Sequence, residues 1–232
     1  MGRRAFIVAI DGPAGAGKST VSKLLARRLG FVLVDTGAIY RCVALLAIRG
    51  NVALDDDAKL EALLTGLKVS FAVVGDELRV SLGEQNVSST IRTPEVSMAA
   101  SKVSSRPAVR NGLLSLQRRL ALEAPRGAIL EGRDIGTVVF PDADLKFFLE
   151  ASPEARARRR YEELFQKGVE VSFDEVLADQ TKRDRDDSTR AVAPLKAALD
   201  AIHVDSTEMP ISEVVRAMEM VIRDHLAHQV RD

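Results

Sequence analysis

The sequence predicts an α/β fold, a parallel sheet with helices on both faces, and three observations carry that prediction. Short unbroken apolar runs recur along the chain, bounded by polar residues or glycine, which is how strands buried on both faces read. Stretches with apolar residues at helical spacing separate them. A glycine-rich turn joins the first run to the first helical stretch.

The first run is Phe6-Ile7-Val8-Ala9-Ile10, closed by Asp11. Val21, Leu24, Leu25 and Leu29 then share one helical face, and Gly30 supplies the stop. Further strand-like runs stand at Phe31-Val32-Leu33-Val34, Ala128-Ile129-Leu130, Leu145-Lys146-Phe147-Phe148-Leu149 and Ile202-His203-Val204. One region breaks the rhythm. Residues 68–72 and 78–82 alternate, with Val69, Phe71 and Val73 answering Leu78, Val80 and Leu82 across a Gly75-Asp76 turn, so an antiparallel hairpin is expected. Val87-Ser88 is read as a third short strand. This delimits an insert over residues 66–103 within a core of 1–65 and 104–232. Past it, Val109, Leu113, Leu116 and Leu120 form the apolar face of a helix. A last helix from about Ser212 buries Val214, Val215, Met218, Val221 and Ile222. Asp55-Asp56-Asp57 reads as the acidic start of a helix rather than a metal cluster.

Composition narrows the function. Among 232 residues, Lys plus Arg and Asp plus Glu both number 33, which argues against a general nucleic-acid or membrane-surface binder. Local clusters can still hold a small polyanion. Cys42 is the only cysteine and lies in an apolar stretch, so a buried structural thiol is expected and no internal disulfide is possible. Met1-Gly2-Arg3-Arg4 before the first run faintly imitates a leader peptide, but that run is short and ends at Asp11. No apolar run approaches the roughly 20 residues of a membrane span. A soluble, cytoplasmic protein is expected, with a monomer as the default.

Gly12-Pro13-Ala14-Gly15-Ala16-Gly17-Lys18-Ser19 matches G-x-x-x-x-G-K-[ST] in full, between a predicted strand and a predicted helix. The chemistry needs each part. Glycines let backbone amides approach phosphate oxygens, and the helix start offers its own amides and dipole to the same anion. Lys18 is placed to reach the β- and γ-phosphates and Ser19 to coordinate Mg²⁺, so ATP and Mg²⁺ are the expected ligands. Thr20 completes the local set. GTPases normally carry Asn-Lys-x-Asp, which is missing here, and the chain is short for a motor. That leaves kinases.

Arginine grips phosphate through a planar fork that never loses its charge. Arg41 and Arg133 each follow a predicted parallel strand, where ligands bind in open α/β sheets. Arg110 and the cluster from Arg183 to Arg190 add to them. Asp35-Thr36-Gly37-Ala38-Ile39-Tyr40-Arg41, Gly132-Arg133-Asp134-Ile135-Gly136-Thr137-Val138-Val139-Phe140-Pro141 and Arg190-Ala191-Val192-Ala193-Pro194 resemble the signature segments of the bacterial cytidylate kinase family, and the resemblance runs to Asp205-Ser206-Thr207.

The resemblance implies five parallel strands, an enlarged acceptor-binding insert and a short mobile lid at residues 155–170, with Arg158 serving ATP. By motif, Arg41, Arg133 and Arg190 hold the acceptor's phosphate, beside Thr36. Ser101, Arg110 and Asp134 read the cytosine edge, and Arg183 and Asp187 hold the sugar hydroxyls. The transfer machinery is then Lys18, Arg133, Asp134 and Arg190. Glu131 stands where many relatives have Asp, and Thr36 where some have Ser, which keeps the hydroxyl. The implied reaction moves a phosphoryl group from ATP to CMP or dCMP, giving ADP and CDP or dCDP. UMP or AMP as acceptor is the nearest alternative, and a nucleotide-gated switch with no acceptor is the alternative from another class. Such chemistry needs positioning and charge neutralisation rather than a strong base, so His203, His225 and His228 are expected to take no part.

Overall fold

The computed structural model describes residues 4–75, 77–166 and 168–228. Met1-Gly2-Arg3 and Asp76 of the expected hairpin turn lie outside them. In chain order the first layer of elements is β1 (Phe6–Asp11), α1 (Lys18–Leu29), β2 (Val32–Asp35), α2 (Thr36–Arg49) and α3 (Asp57–Leu64). The smaller strands β3 (Val69–Val74), β4 (Glu77–Leu82) and β5 (Gln85–Asn86) follow, then α4 (Pro94–Ser104) and α5 (Pro107–Leu122). The chain closes with β6 (Gly127–Gly132), β7 (Leu145–Glu150), α6 (Pro153–Gln166), α7 (Phe173–Thr189), β8 (Ile202–Asp205) and α8 (Ile211–His228).

Five strands form one parallel sheet in the order β2-β6-β1-β7-β8. The apolar runs explain the centre, because β1 and β6 are buried at every position. Register then gathers the carboxyl ends of the strands on one edge. Asp11 lies opposite Gly132 and Phe148, Asp35 opposite Glu131, and Glu150 opposite Asp205. That edge is where an open parallel sheet binds ligands.

Helices cover both faces, α1 against α8 and α5 against β6, with α2 packed on α4. Asp35 caps α2 by accepting the Ala38 amide at 2.8 Å, and Asp56 caps α3 from Lys59, so the acidic run is a helix start. Cys42 is buried on α2, and burial pushes its thiol up to about 12, so it behaves as a small apolar side chain.

The hairpin forms with the expected pairing, Val69 with Leu82, Phe71 with Val80 and Val73 with Leu78. Three sequence readings shift. The third strand is Gln85–Asn86 rather than Val87-Ser88, because a tight turn after Leu82 makes pairing begin at once. Val87 instead buries its side chain, and the Ser88 hydroxyl accepts the Val80 amide at 2.9 Å. The run at 202–204 is not buried on both faces: β8 is the sheet's edge strand, with Ile202 and His203 exposed. On α8, Val221 sits only at the margin of the core. No helix among the described residues is long and apolar enough to cross a membrane.

Candidate active site

The glycine-rich loop leaves β1 and enters α1. Gly12 holds φ at +148°, and a Cβ there would lie 1.9 Å from the Leu149 carbonyl oxygen. Gly17 caps α1 with φ of 92°, in the left-handed region. Lys18 is buried, and its Nζ donates to the Pro13 carbonyl at 2.6 Å, which holds the ammonium at the loop's mouth. Burial lowers its pKa well below the usual lysine range, and the nearby Arg133 charge lowers it further. Ser19 and Thr20 lie exposed at the helix start.

Neighbouring elements brace this loop. From α6, buried Arg156 donates to the Ala14 carbonyl at 2.9 Å and pairs with Asp184 of α7 at 2.6 Å. From the turn after β8, the Ser206 hydroxyl donates to the Ala16 carbonyl at 3.1 Å, and Arg159 donates to the Ser206 carbonyl. A cleft of about 380 Å³ opens between these braces, lined by Ser152, Arg158, Arg159, Thr207 and Glu208 among others. Arg158 is exposed there, its guanidinium 5.5 Å above the Phe173 ring.

The Ser19 hydroxyl donates to Glu131 Oε2 at 2.9 Å, while Glu131 Oε1 is buried without a hydrogen-bond partner. Burial, then the charge of Asp35, pushes Glu131 up to about 7. Among the described residues no group of three His, Cys, Asp or Glu side chains is arranged to hold a metal ion by itself. Mg²⁺ dehydrates reluctantly and takes few protein ligands beside phosphates and water. A hydroxyl and an orphaned carboxylate oxygen suit a hydrated cation.

Across the strand ends stands a second cationic group, in which two carboxylates are each shared between guanidiniums. Asp134 meets Arg110 directly and Arg190 at 3.7 Å. Asp187 pairs with Arg133 at 2.9 Å and lies 3.8 Å from Arg190. Arg110 also donates to the Ser104 carbonyl at 3.0 Å and lies 5.4 Å above the Tyr40 ring. Arg41 pairs with Asp35 at 3.2 Å and leaves its buried Nε without a hydrogen bond, as Arg190 does the Nη that lies 3.7 Å from Asp134. Arg183 is exposed at the margin of this group, within reach of the Arg133 and Asp187 charges. A buried nitrogen that makes no hydrogen bond, on each of two arginines, is spare capacity for an anion. The Thr36 hydroxyl is committed to the Glu131 carbonyl at 2.7 Å. A small cavity lined by Tyr40, Arg110, Leu114, Gln117, Asp134 and Val139 adjoins the Arg110–Asp134 pair.

The structure therefore gathers Arg110, Arg133, Asp134, Asp187 and Arg190 in one network, with Lys18 and the exposed Arg183 within electrostatic reach. Ser101 is half-buried on α4, one turn before the Ser104 carbonyl that Arg110 meets, and its own carbonyl accepts from the Ser104 hydroxyl. Sequence reasoning missed Asp11, Tyr40, Gln117, Asp184 and Ser206. It also grouped Arg156 with the lid, whereas Arg156 is buried under the phosphate loop.

A family model described as cytidylate kinase matches residues 8–224. A cytidylate kinase of Geobacter sulfurreducens is 54% identical over 223 residues, spanning 96% of this chain and 95% of that one. Those of a Geobacter species and of Pasteurella multocida are 52% and 49% identical, each aligned over 95% of this chain and over 94% and 96% of theirs.

Proposed function

Because the chain belongs to the cytidylate kinase family, we propose that it transfers the γ-phosphoryl group of ATP to CMP or dCMP, giving ADP and CDP or dCDP. Family membership makes it a nucleoside monophosphate kinase. The observation that carries the acceptor assignment is the second arginine network beside the phosphate loop, close enough that Arg133 depresses the Lys18 pKa. A module that only binds or hydrolyses ATP has no need of it.

In this reading an acceptor phosphate oxygen attacks the γ-phosphorus and the bond to the ADP oxygen breaks. Gly12, Pro13, Ala14, Gly15, Ala16, Gly17, Lys18, Ser19 and Thr20 hold the donor's phosphates. The cleft beside Arg158 takes the rest of ATP, with the guanidinium plane offering a stacking surface. Arg41, Arg133 and Arg190 take the acceptor's phosphate, which is already ionised, so the protein's task is to align and neutralise rather than remove a proton. The Arg110–Asp134 pair faces the base, Arg183 and Asp187 the sugar, and Thr36 and Ser101 flank the acceptor. Mg²⁺ held at Ser19, with Glu131 behind it, supplies charge neutralisation for the transferring group when bound.

ADP release with ATP and Mg²⁺ tests the reading directly. CMP and dCMP should stand well above UMP, AMP and GMP at equal concentration. Another acceptor on top would keep the kinase and remove the base assignments.

The same reading makes residues 66–103 the acceptor-binding insert and 155–170, Arg156 excepted, a lid over ATP, in a cytoplasmic monomer. Small-angle scattering checks the monomer and the lid. One chain's forward intensity is expected, and the radius of gyration should shrink when an unreactive ATP analogue and CMP are added together. An unchanged radius would remove the lid.

A further inference from the structure

Asp11 is buried at the end of β1, and its carboxylate spans the gap between the donor and acceptor loops. Oδ1 accepts the Ile135 amide at 2.8 Å and Oδ2 the Gly136 amide at 2.7 Å. Those amides open the tight turn at Ile135–Val139, in which the Asp134 carbonyl accepts from Val138 and Val139 and the Ile135 carbonyl accepts from Phe140. At the turn's other end Arg118 of α5 donates to the Val139 carbonyl at 2.8 Å and to the Val138 carbonyl at 3.3 Å. An anion thus meets the amide end and a cation the carbonyl end, the arrangement the turn's dipole favours. Gly136 keeps the approach close, since a Cβ there would lie 3.1 Å from the Lys146 stem and 3.4 Å from Asp11 itself. Arg133 and Asp134 sit immediately before this turn, so whatever fixes the turn fixes them.

We propose that Asp11 is a positioning residue for the acceptor: by clamping the Ile135 and Gly136 amides it ties the phosphate loop to the turn that aims Arg133 and Asp134. The inference rests on those two residues serving the acceptor. A carboxylate offers two acceptor oxygens to two amides. Its protonated form and asparagine both turn a donor toward one of them, and so break half the clamp. Burial raises the Asp11 pKa to about 6, with the two amides and Lys18 holding it down and Asp134 pushing it up. Lys146 of β7, packed on Gly136, and Arg118 at the carbonyl end are further charged side chains on this turn. The sign follows: the clamp is whole above about 6 and is lost as pH falls through that value.

Steady-state kinetics of Asp11→Asn from pH 5 to 8 test this. At pH 7.5, KM for CMP should rise about tenfold, the equivalent of one charge-assisted hydrogen bond, while KM for ATP stays within about twofold. The wild-type to variant ratio of kcat/KM for CMP should shrink toward one below pH 6. The titration of CMP's own phosphate is common to both proteins and cancels in that ratio. A pH-independent ratio, or equal changes in both KM values, would overturn the proposal. Arg118→Gln, on a partly exposed helix face, should raise KM for CMP about threefold with ATP unchanged, and no change there also counts against it. Arg133→Ala runs alongside. If it spares CMP, the acceptor reading itself falls, and this inference with it. If it cripples CMP use while Asp11→Asn does not, only this inference falls.

Discussion

Replacing Arg133 with alanine should lower kcat/KM for CMP by about 10²–10⁴-fold while changing KM for ATP far less. The magnitude comes from chemistry. A hydrogen bond to a charged group contributes about 1.5–3 kcal/mol, and an arginine fork offers two to a phosphate, so about 3–6 kcal/mol is lost. Each 1.36 kcal/mol is a factor of ten, on the order of two to four decades.

Geometry makes Arg133 the most exacting member of the network. Its Nε is engaged by Asp187 at 2.9 Å and one Nη by the Gly132 carbonyl at 3.3 Å, so its orientation is set from the β6 end. Deleting it also removes the guanidinium that pairs directly with Asp187, leaving Arg190 at 3.8 Å and the exposed Arg183 near a side chain that is 13% exposed. Uncompensated charge there will disturb Arg190 as well. Arg133→Lys restores the charge but not the fork, and should recover only part of the loss. An unchanged kcat/KM for CMP in the alanine variant would falsify the assignment.

How much of this was legible in the sequence depends on how local each feature is. The strands of the sheet announce themselves because burial on both faces demands unbroken apolar runs, and the phosphate loop because its glycines are required one by one. The hairpin register followed from simple alternation. Edge position is not local, so β8 looked like an interior strand until its neighbours were known. Asp11 gave no signal at all: it touches Ile135 and Gly136, 124 and 125 residues away, only because β1 and β6 run in register. The arginines were legible as a class through their places after strands and through family resemblance. Their carboxylate partners, Asp134 for Arg110 and Asp187 for Arg133, are set by how α5 and α7 approach the strand ends, which no spacing encodes. Ser101 rests on motif alone, one turn along α4 from the Ser104 carbonyl that Arg110 meets.

Gly12→Ala should be the most damaging single change to the scaffold of the site. A Cβ at Gly12 would lie 1.9 Å from the Leu149 carbonyl oxygen and 3.0 Å from its carbon, and the residue's φ of +148° suits no L side chain. The obstacle is backbone of β7, so no rotamer change relieves it. Either β1 and β7 part at the pair Asp11–Phe148, or the loop lifts away from its braces at Ala14 and Ala16. Strain of that kind costs about 3–5 kcal/mol, which for a chain of this size lowers Tm by about 10 °C. Activity should fall further than stability suggests, because a displacement of about 1 Å in a positioning loop costs on the order of 10²-fold in rate. Gly66→Ala is the control, since Gly66 also holds a positive φ, 73°, with nothing within 4 Å of its Cβ position. It should lose about 1 kcal/mol and keep full activity. If Gly12→Ala melts like Gly66→Ala and retains its KM for ATP, the close approach of the phosphate loop to β7 is not what holds the donor site in place.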